Sequence, residues 1–420
     1  MLALDLSPAL SPVQRAAALS EPRPPRAPRV CLVTGGTGFV GTRLVEMLVE
    51  RGAERVISFD IVPRPADAWS HPAIEWVVGD VCDAAHLERV FRGVDCVWHN
   101  AAAVGPFHPR ELHYAVNFQG TLAVITAAKA AGVKKMVMSS SPSTRFEWSR
   151  DYDGVSEAEM PEVPLPSGSS VQSYAETKAL GEAALRAANG DSVTGGGRLA
   201  TVAVAPHQVY GPRDNLFLPN ILEAGGSGRL RVFGPGTNRI CFTHVDNYAH
   251  GLILAERALS SPDAACAGRF YIVTDGATHP DPRGCGSFWG LIDEAVVAMG
   301  FASIAAKAHL PLWLLWPLAY ICEALGRLLG RQMKLNTFNV WVLTINRWFR
   351  IDAAARDLGY APVVSFADGW PDTLHWFRAH WLPTYQKPSW ASVFGLAKGT
   401  QRKIDIQAAG TASGPNLKGR

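Results

Sequence analysis

Charged residues are scarce in this sequence, and the two signs nearly cancel. Only 18% of the 420 residues are charged, with 40 Lys or Arg against 37 Asp or Glu and a formal net charge of +3. That balance excludes a protein that binds nucleic acid through bulk positive charge. A disordered chain is excluded as well, because such chains combine few hydrophobic residues with a high net charge, whereas 48% of this one is hydrophobic.

Paired cysteines and long apolar runs are also missing. The seven cysteines are scattered, odd in number and without a CxxC pair, which argues against a disulfide framework and a zinc site and for a reducing compartment. We therefore expect no metal. No stretch of about 18–20 uncharged apolar residues is present to form an ordinary membrane-spanning helix. The length predicts two or three domains.

Predicted strands and helices alternate from Val30 onwards. The segment RVCLVTGGTGFVGTRLVEMLVERGAERVISFDI has the pattern strand, glycine turn, helix, strand. Further strands are predicted at IEWVVGDV, CVWHNAA, KKMVMSSS and LATVAVAP, and helices around 120–131 and 174–188. Buried strands separated by helices predict an α/β fold with a doubly wound parallel sheet and right-handed crossovers.

Three glycines follow the first strand in the motif TGGTGFVG. Gly35 permits a tight turn, Gly38 lets backbone N–H groups approach a pyrophosphate, and Gly41 lets the helix pack against its strand. The helix N-terminus, with Phe39 and Val40 in its first turn, favours the anion. The motif therefore predicts a Rossmann-type dinucleotide site, with the spacing GxxGxxG instead of the better-known GxGxxG.

Asp60 ends the second predicted strand, about 20 residues beyond the glycines, where a carboxylate accepts hydrogen bonds from the adenosine ribose. Its charge would repel a 2′-phosphate, so NAD is predicted over NADP, although Arg64 could bind such a phosphate. Asp80 and Val81 follow the third strand and are predicted to border the adenine. The alternative for Asp80 is that it caps the next turn.

These features divide the chain into four predicted parts. Residues 1–28 form a Pro-, Ala- and Arg-rich leader that is predicted to be disordered. The alternative is that the leader is a plastid or mitochondrial targeting peptide. Residues 29–275 are predicted to form the NAD-binding Rossmann domain, with part of the substrate site. Residues 276–394 are predicted to form a smaller C-terminal substrate domain, which contains an apolar stretch at 309–330. Residues 395–420 are predicted to be a flexible tail.

Tyr174 and Lys178 lie four residues apart on a predicted helix and therefore on one face of it. An ammonium group beside a phenol stabilises the phenolate and lowers the pKa of the phenol, so Tyr174 is predicted to accept a proton near neutral pH. The YxxxK pattern alone is common, and a surface tyrosine with a solvated lysine is the alternative. The serines in MVMSSSPS end a strand and supply a hydroxyl that can orient a substrate alcohol or carbonyl.

In this order, TGGTGFVG, GDV, HNAA, SSS, YAETK and HQVYGPRDN closely resemble the motifs of the extended short-chain dehydrogenase/reductase family, over roughly residues 30–380. The resemblance implies that Tyr174 is the catalytic base or acid and that Lys178 also holds the nicotinamide ribose. It implies that the catalytic serine is Ser141, with Ser140 as the alternative. One departure is Ala205, where an arginine often precedes the proline. Tyr174 and Lys178 are cofactor contacts as well as catalytic residues, and the remaining cofactor contacts that the resemblance implies are Asn100, Ala101, Ala102, Asn117 and Pro206.

The second half of the chain is similar to one subgroup of that family, the 3β-hydroxysteroid dehydrogenases and sterol-4α-carboxylate 3-dehydrogenases (decarboxylating). The similarity lies in NRICFTHVDNYAHGLILAERAL, in FYIVTDG and in the apolar region beyond Ser287, which contains nine of the 13 tryptophans. An apolar lining suits a flat hydrophobic ligand. The resemblance implies NAD-dependent oxidation of the 3β-hydroxyl of a sterol or steroid, in particular a 4α-carboxysterol with decarboxylation.

Other functions remain open at this point. One alternative is another enzyme of the extended family, such as a nucleotide-sugar epimerase, and a second is a non-catalytic NAD-binding scaffold. Arg239 is a candidate partner for a sterol carboxylate, and His244 is more simply explained by a backbone hydrogen bond. His207 and Asn215 are further polar candidates for the pocket. The resemblance also makes a homodimer an expectation.

The apolar stretch from Leu310 to Leu325 is interrupted by two prolines and a glutamate, which makes it marginal for crossing a bilayer. The following segment RWFRIDAAARDLGYAPVVSFADGWPDTLHWFR resembles the terminal region of the same fold, so both ends of the stretch should lie on one side of any membrane. We expect an in-plane or re-entrant element on the endoplasmic reticulum or a lipid droplet, with the catalytic domain facing the cytosol. A buried helix of the substrate domain is the alternative. The predicted interface residues are Trp313, Trp316 and Tyr320, with Lys307, Arg327, Arg331 and Lys334 near the headgroups.

Overall fold

The computed structural model describes residues 26–386, apart from residues 106–107, 149, 167, 262, 329–332 and 334. Residues 1–25 of the predicted leader, the predicted tail, Arg331 and Lys334 lie outside the described residues. The strands are β1 (Val30–Thr34), β2 (Arg55–Asp60), β3 (Ile74–Val78), β4 (Cys96–His99), β5 (Lys135–Ser139), β6 (Tyr152–Val155), β7 (Ala200–Pro206), β8 (Val209–Tyr210), β9 (Arg239–Ile240), β10 (Thr243–His244), β11 (Arg269–Val273), β12 (Gly286–Ser287) and β13 (Arg347–Phe349). The α-helices are α1 (Phe39–Glu50), α2 (Ala84–Val90), α3 (Arg110–His113), α4 (Gly120–Ala130), α5 (Ser173–Ala187), α6 (Leu218–Gly226), α7 (Val245–Ala258), α8 (Phe288–Ala298), α9 (Leu312–Leu328), α10 (Thr337–Val342), α11 (Asp352–Leu358) and α12 (Phe366–Trp376).

Seven parallel strands form the central sheet, in the order β11-β7-β5-β4-β1-β2-β3. Every neighbouring pair in it runs parallel. The chain moves outward from β1 in one direction to β3 and then in the other direction from β4, so the strand order reverses between β1 and β4. Ligands of doubly wound sheets bind in the crevice at that switch point, beyond the carboxyl ends of the strands. The predicted Rossmann-type sheet is confirmed.

Helices cover both faces of the sheet because its strands are apolar on both sides. On one face, Leu32 and Ile57 pack with apolar residues of α2, α4 and α5. On the other face, Cys31 and Val33 pack with apolar residues of α1, α7 and α11. Since α11 belongs to this second layer, the chain returns to the sheet long after residue 275, and the division of the chain at that residue stays an interpretation.

A smaller apolar cluster joins α6, α8 and α12 around Phe242 and Trp370. A four-stranded sheet in the order β12-β9-β13-β6 accompanies it. In this sheet β13 pairs in parallel with β6 and with β9, although these strands are far apart in sequence. The small sheet therefore connects the segment after the serines with the segments beyond the central sheet.

Helix α9 carries most of the predicted apolar stretch. One side of it buries Leu315 and Ala319 against Val340 of α10. Its exposed large apolar residues are Trp313, Leu314, Leu318, Tyr320, Ile321, Leu325 and Leu328. Within the described part of the chain, no helix is both long enough and apolar enough to cross a membrane.

Candidate active site

The glycine turn after β1 has the shape that a dinucleotide phosphate needs. Gly35 has a φ of +70°, and a Cβ atom there would lie 2.8 Å from the backbone nitrogen of Ala101. A Cβ atom at Gly41 would lie only 2.0 Å from the carbonyl oxygen of Gly35, whereas one at Gly38 would meet that oxygen alone, at 3.2 Å. Among the side chains that the structure describes, none caps α1, which begins at Phe39. The first N–H groups of the helix are therefore free to bind an anion.

Asp60 lies at the end of β2, beside the glycine turn. Its carboxylate accepts hydrogen bonds from the backbone N–H groups of Thr37 at 3.0 Å and Val62 at 3.1 Å. A carboxylate oxygen has more than one lone pair, so the group can still accept hydrogen bonds from ribose hydroxyls. Arg64 donates to the carbonyl oxygen of Ala68 at 3.0 Å. The position of Asp60 therefore suits the predicted contact with the adenosine ribose.

Asp80 and Val81 follow β3 on the same side of the sheet. Asp80 accepts a hydrogen bond from the backbone N–H of Cys82 at 2.9 Å and so caps the turn, which is the alternative that the sequence left open. Val81 is buried beside Gly120, where a Cβ atom would lie 2.9 Å from a methyl group of Val81. These contacts are all internal to the protein, so the assignment of both residues to the adenine stays a prediction.

The ends of β4 and β5 connect the glycine turn with Lys178. The backbone N–H of Asn100 donates to the carbonyl oxygen of Thr34 at 3.2 Å, and that of Ala101 donates to the hydroxyl of Thr34 at 3.2 Å. The side-chain oxygen of Asn100 accepts a hydrogen bond from the hydroxyl of Ser139. The ammonium group of Lys178 donates a hydrogen bond to the carbonyl oxygen of Ser139 at 2.6 Å. The predicted cofactor residues on β1, β4 and α5 therefore lie along one edge of the sheet.

Asn117 supports this edge from a π-helical turn over Tyr114–Gln119. Its amide accepts from the backbone N–H of Ala103 at 2.8 Å and donates to the carbonyl oxygen of the same residue at 3.2 Å. Those two bonds fix the loop that contains Ala102. A Cβ atom at Gly181 would lie 2.5 Å from the carbonyl oxygen of Asn117, so α5 approaches the turn closely because Gly181 has no side chain.

Tyr174 lies in the first turn of α5, with Lys178 one turn further along the same face. The ring of His113 meets the ring of Tyr174 edge-on, with 6.0 Å between the two centroids. His113 is itself held in place, because its Nδ1 shares a hydrogen bond with the hydroxyl of Ser173 at 2.9 Å and its Nε2 donates to the carbonyl oxygen of Gly105 at 3.0 Å. His113 therefore offers the phenol ring a packing partner that is itself held by two hydrogen bonds.

The pKa of Tyr174 differs from the prediction. Burial raises the pKa of the phenol to about 12, and burial lowers the pKa of Lys178 to about 8. The expected lowering of the pKa of Tyr174 by the ammonium group is therefore wrong for the protein alone. The physical reason is burial, which removes water from the phenol and so disfavours its charged form. Tyr174 keeps its proton at neutral pH.

The three serines after β5 have different partners. Ser140 is buried, and its hydroxyl donates to the carboxylate of Glu182 at 2.5 Å. Ser141 is half-buried, shares a hydrogen bond of 2.9 Å with the hydroxyl of Ser143, and caps the 3₁₀ turn over Pro142–Arg145. Because the hydroxyl of Ser140 already donates its hydrogen bond to the buried carboxylate of Glu182, Ser141 is the better candidate for contact with a substrate.

Beyond β7, which ends at Pro206, two buried side chains each have one nitrogen with no hydrogen-bond partner among the described residues. The Nδ1 of His207 donates to the carbonyl oxygen of Cys241 at 2.8 Å, and its Nε2 is the unpartnered nitrogen. In Arg347 of β13 the unpartnered nitrogen is Nε, and burial lowers the pKa of the guanidinium to about 10. Burial, followed by the nearby charge of Arg347, lowers the pKa of His207. These two residues are polar groups that a ligand could satisfy.

The other polar candidates have different surroundings. Arg239 forms an ion pair of 2.5 Å with Asp281, so its charge is already paired and it is not a free partner for a sterol carboxylate. Asn215 is exposed. His244 is buried and caps α7, because its Nδ1 accepts from the backbone N–H of Asp246 at 3.3 Å. The sequence analysis missed His113, Glu182 and Arg347, and only the i, i+4 spacing of Glu182 from Lys178 was visible in the sequence.

Comparison with known families identifies this arrangement. The profile of the 3-beta hydroxysteroid dehydrogenase/isomerase family matches residues 32–291, which is more than half of the chain. This chain belongs to that family. The matched residues include the glycine turn, the serines, Tyr174 and Lys178, so the family resemblance that the motifs predicted is confirmed.

Several curated relatives align with most of this chain. One is 3beta-hydroxysteroid-dehydrogenase/decarboxylase isoform 1 of Arabidopsis thaliana, 33% identical over 83% of this chain and 80% of the relative. The decarboxylating sterol-4-alpha-carboxylate 3-dehydrogenase of Mus musculus is 31% identical over 83% of this chain and 91% of the relative. The 2-alkyl-3-oxoalkanoate reductase of Stenotrophomonas maltophilia is 34% identical over 80% of this chain and 96% of the relative.

Solved structures share the fold of this family member. The structure of gox2253 matches with a TM-score of 0.64 at 26% identity, over 84% of this chain and 99% of that one. The epimerase Mth375 of Methanothermobacter thermautotrophicus matches with a TM-score of 0.63 at 22% identity, over 89% of this chain and 97% of that one. The second similarity shows the fold alone.

Proposed function

We propose that this protein is an NAD-dependent dehydrogenase that oxidises the 3β-hydroxyl of a sterol or steroid, with a 4α-carboxysterol as the preferred substrate. The observation that carries the proposal is that Tyr174 and Lys178 lie one turn apart on α5, with the ammonium group of Lys178 bound at the carboxyl end of β5. The Arabidopsis relative is named a 3beta-hydroxysteroid-dehydrogenase/decarboxylase, and the mouse relative a decarboxylating sterol-4-alpha-carboxylate 3-dehydrogenase. The family membership and the geometry thus support the same reaction.

The residues present fit a dinucleotide cofactor. The hydroxyl of Thr37 and the side-chain nitrogen of Asn100 are buried and have no hydrogen-bond partner in the described part of the chain. A Cβ atom at Gly38 would be less crowded than one at Gly35 or Gly41. The uncapped start of α1 would hold the phosphates, Asp60 the adenosine ribose, and Lys178 the second ribose. When it is bound, NAD supplies the hydride acceptor.

Removal of the charge on Asp60 should weaken the preference for NAD over NADP. Without that carboxylate, the repulsion of a 2′-phosphate disappears and the hydrogen bonds to the ribose hydroxyls are lost. We expect Asp60→Ser to lower the ratio of kcat/KM for NAD to that for NADP by at least about tenfold, which corresponds to about 1.4 kcal/mol. The matched control is Asp67→Ser, at an exposed position of the following loop. An unchanged ratio in Asp60→Ser would remove Asp60 from the cofactor site.

The side chains of the protein supply the acid–base chemistry. In the oxidation, Tyr174 accepts the proton of the 3β-hydroxyl while the hydroxyl of Ser141 holds the substrate oxygen. The pKa of Tyr174 is about 12 in the protein alone, so the phenolate must be stabilised by a neighbouring positive charge. Lys178 supplies that charge only while it is protonated, and its own pKa is about 8.

Decarboxylation needs no additional catalytic group. Oxidation at the carbon next to the one that carries the carboxylate produces a β-keto acid, whose carbon dioxide leaves as the new ketone becomes an enol. Arg347 is our candidate partner for the carboxylate before that step. The Nε of its buried guanidinium has no hydrogen-bond partner within the described residues, and the side chain lies near His207 at the end of β7. Arg239 is already paired with Asp281.

A second candidate function is the reduction of a 2-alkyl-3-oxo acid. The relative from Stenotrophomonas maltophilia is named for that reaction, and its substrate resembles the product of sterol oxidation. Both compounds have a ketone next to a carbon that bears a carboxylate and an alkyl group. In this direction Tyr174 would donate its proton, which the raised pKa of its phenol permits.

The experiment that tests the proposal offers the full chain NAD with a 4α-carboxysterol, a 3β-hydroxy-Δ5-steroid, a 2-alkyl-3-hydroxy acid and a nucleotide sugar in separate reactions. We expect NADH and a 3-ketone from the sterol substrates, identified by mass spectrometry. Turnover of the 2-alkyl-3-hydroxy acid alone would favour the second candidate. Turnover of the nucleotide sugar alone, or of nothing while NAD binds, would favour the epimerase or the scaffold that the sequence left open.

We also propose that α9 contacts a membrane surface, since a sterol substrate partitions into lipid. Seven large apolar side chains of this helix are exposed on its outer side, while its inner side packs on α10. An apolar helix face of this kind binds the interface of a bilayer without crossing it. The assignment of that membrane to the endoplasmic reticulum or a lipid droplet stays a prediction, as does the proposed homodimer.

Charges on the exposed side of α9 should release the protein from lipid. We expect the double variant Trp313→Glu/Ile321→Glu to bind phospholipid vesicles at least about tenfold more weakly, because each apolar side chain removed from water contributes about 1.5–3 kcal/mol. The matched control is Val297→Glu, an exposed apolar position on α8. In a membrane preparation, alkaline carbonate should release the wild-type protein. Extraction by detergent alone, or equal vesicle binding by all variants, would contradict an interfacial helix.

A further inference from the structure

A fully buried carboxylate lies one helical turn beyond Lys178. Glu182 has no exposed surface, and it follows Lys178 by four residues on α5, on the same face. Its carboxylate accepts hydrogen bonds from the hydroxyl of Ser140 at 2.5 Å and from the guanidinium of Arg145 at 2.5 and 3.0 Å. A buried charge with this many partners is held in one position.

The partners of Glu182 come from the segment that holds the other reacting groups. Ser140 lies between Ser139 and Ser141 in the sequence. The carbonyl oxygen of Ser139 accepts a hydrogen bond from the ammonium group of Lys178, and Ser141 is the predicted catalytic serine. Arg145 closes the 3₁₀ turn that Ser141 caps, and its guanidinium lies 3.5 Å above the ring of Phe270. The carboxylate is therefore fixed by the same backbone that positions Lys178.

Lys178 needs a negative charge nearby to stay protonated. Its ammonium donates to a neutral carbonyl group, not to a carboxylate, and burial lowers its pKa, while the charge of Glu182 raises it. In a region with little water, a charge acts over one helical turn without direct contact. The other titratable and charged groups around these two residues are His99 on β4, Tyr174 and Arg186 on α5, Arg145 on the 3₁₀ turn and Tyr248 on α7.

These neighbours leave Glu182 as the group that opposes the effect of burial. The ring nitrogens of His99 are bonded to the hydroxyls of Thr34 and Thr121, and burial lowers its pKa to about 3, so it is neutral. Tyr174 and Tyr248 keep their protons, since burial raises the pKa of each. Arg145 carries a positive charge and reduces the effect of the carboxylate.

We propose that Glu182 is a positioning residue that keeps Lys178 in its cationic form, with Ser140 and Arg145 holding the carboxylate in place. The proposal deepens the proposed dehydrogenase function, on which its kinetic consequence rests. Lys178 is protonated below its pKa and neutral above it. Loss of the carboxylate lowers that pKa, and the support that Lys178 gives to the phenolate of Tyr174 then disappears at a lower pH.

The test compares the pH dependence of kcat in Glu182→Gln and in a control. Glutamine keeps the size of the side chain and a hydrogen-bond acceptor for Ser140 but carries no charge. We expect kcat near the wild-type value at pH 6 and a reduction of about fivefold at pH 8, because the pH above which kcat falls should shift by about one unit to lower pH. The matched control is Glu162→Gln, whose exposed carboxylate pairs with Arg186 on the same helix. An equal reduction at every pH would mean a structural role alone and would overturn the proposal.

A second measurement does not depend on turnover. NMR titration of the protein labelled with [ε-¹³C]lysine reports the pKa of Lys178, whose signal is assigned by its loss in Lys178→Met. We expect the pKa of Lys178 to be lower in Glu182→Gln and higher in Arg145→Gln. If Glu182→Gln does not fold, Arg145→Gln still tests the proposal. An unchanged pKa in the folded variants contradicts the proposal even if the enzyme oxidises sterols. A shifted pKa in a protein that oxidises none of the substrates contradicts only the proposed function.

Discussion

Replacement of Tyr174 with Phe is expected to lower the rate of NADH formation from a 4α-carboxysterol by roughly 10²- to 10⁴-fold, the contribution of a positioned acid or base. The variant loses the oxygen that accepts the substrate proton but keeps the ring that packs against His113. The affinity for NAD should therefore change little. Steady-state kinetics and a binding titration with NAD measure the two quantities separately.

A matched control for this variant is Tyr320→Phe. Tyr320 lies on α9 with 62% of its surface exposed. Substitutions at exposed positions rarely change the stability of a protein, so the loss of this hydroxyl should leave kcat within a factor of two of the wild-type value. If Tyr174→Phe retained the wild-type rate while binding NAD normally, another group would have to move the proton. That result would remove Tyr174 from the catalytic site.

Replacement of Gly41 with Ala has the second largest expected effect. The added methyl group would lie 2.0 Å from the carbonyl oxygen of Gly35, which belongs to the backbone of the turn and cannot move aside as a flexible side chain could. We expect a loss of stability of about 1–3 kcal/mol, as for other overpacked positions. The displaced turn should also lose about two hydrogen bonds to a charged phosphate, at about 1.5–3 kcal/mol each, which weakens NAD binding by about 10²- to 10⁴-fold.

Gly38→Ala separates the effect on folding from the effect on binding. A methyl group there meets only the carbonyl oxygen of Gly35, at 3.2 Å, and Gly38 has a φ of −71° that alanine readily adopts. This variant should unfold at nearly the wild-type temperature and still bind NAD poorly, because its methyl group occupies the space of the phosphate. Thermal unfolding with and without NAD measures both effects. Normal NAD binding by both glycine variants would contradict the assignment of the phosphate site.

The fold could be predicted from the sequence because its signals are local. The strand of Val30–Thr34, the glycines and the helix of Phe39–Glu50 are adjacent in the chain, and apolar periodicity is enough to recognise such a unit. The alternation of further strands and helices then leaves few topologies open. The positions of Tyr174 and Lys178 on one helix follow from the same kind of local pattern.

The remainder of the site depends on contacts between distant parts of the chain. β13 pairs with β6 although Arg347 and Tyr152 are almost 200 residues apart, and no spacing rule brings Arg347 near the end of β7. The pairing of Arg239 with Asp281 is equally invisible in the sequence. The raised pKa of Tyr174 has the same origin, because burial is a property of the folded molecule.

The central claim is that Tyr174 starts the oxidation of a 3β-hydroxyl next to a carbon that bears a carboxylate. A 4α-carboxysterol labelled with ¹⁴C in its carboxyl group tests it in one reaction, in which NADH and released ¹⁴CO₂ are both counted. We expect one NADH for each ¹⁴CO₂ with the wild-type protein, and neither product above background with Tyr174→Phe. Formation of equal amounts of both products by the two proteins, or no NADH from the wild-type protein while it binds NAD, would contradict the account.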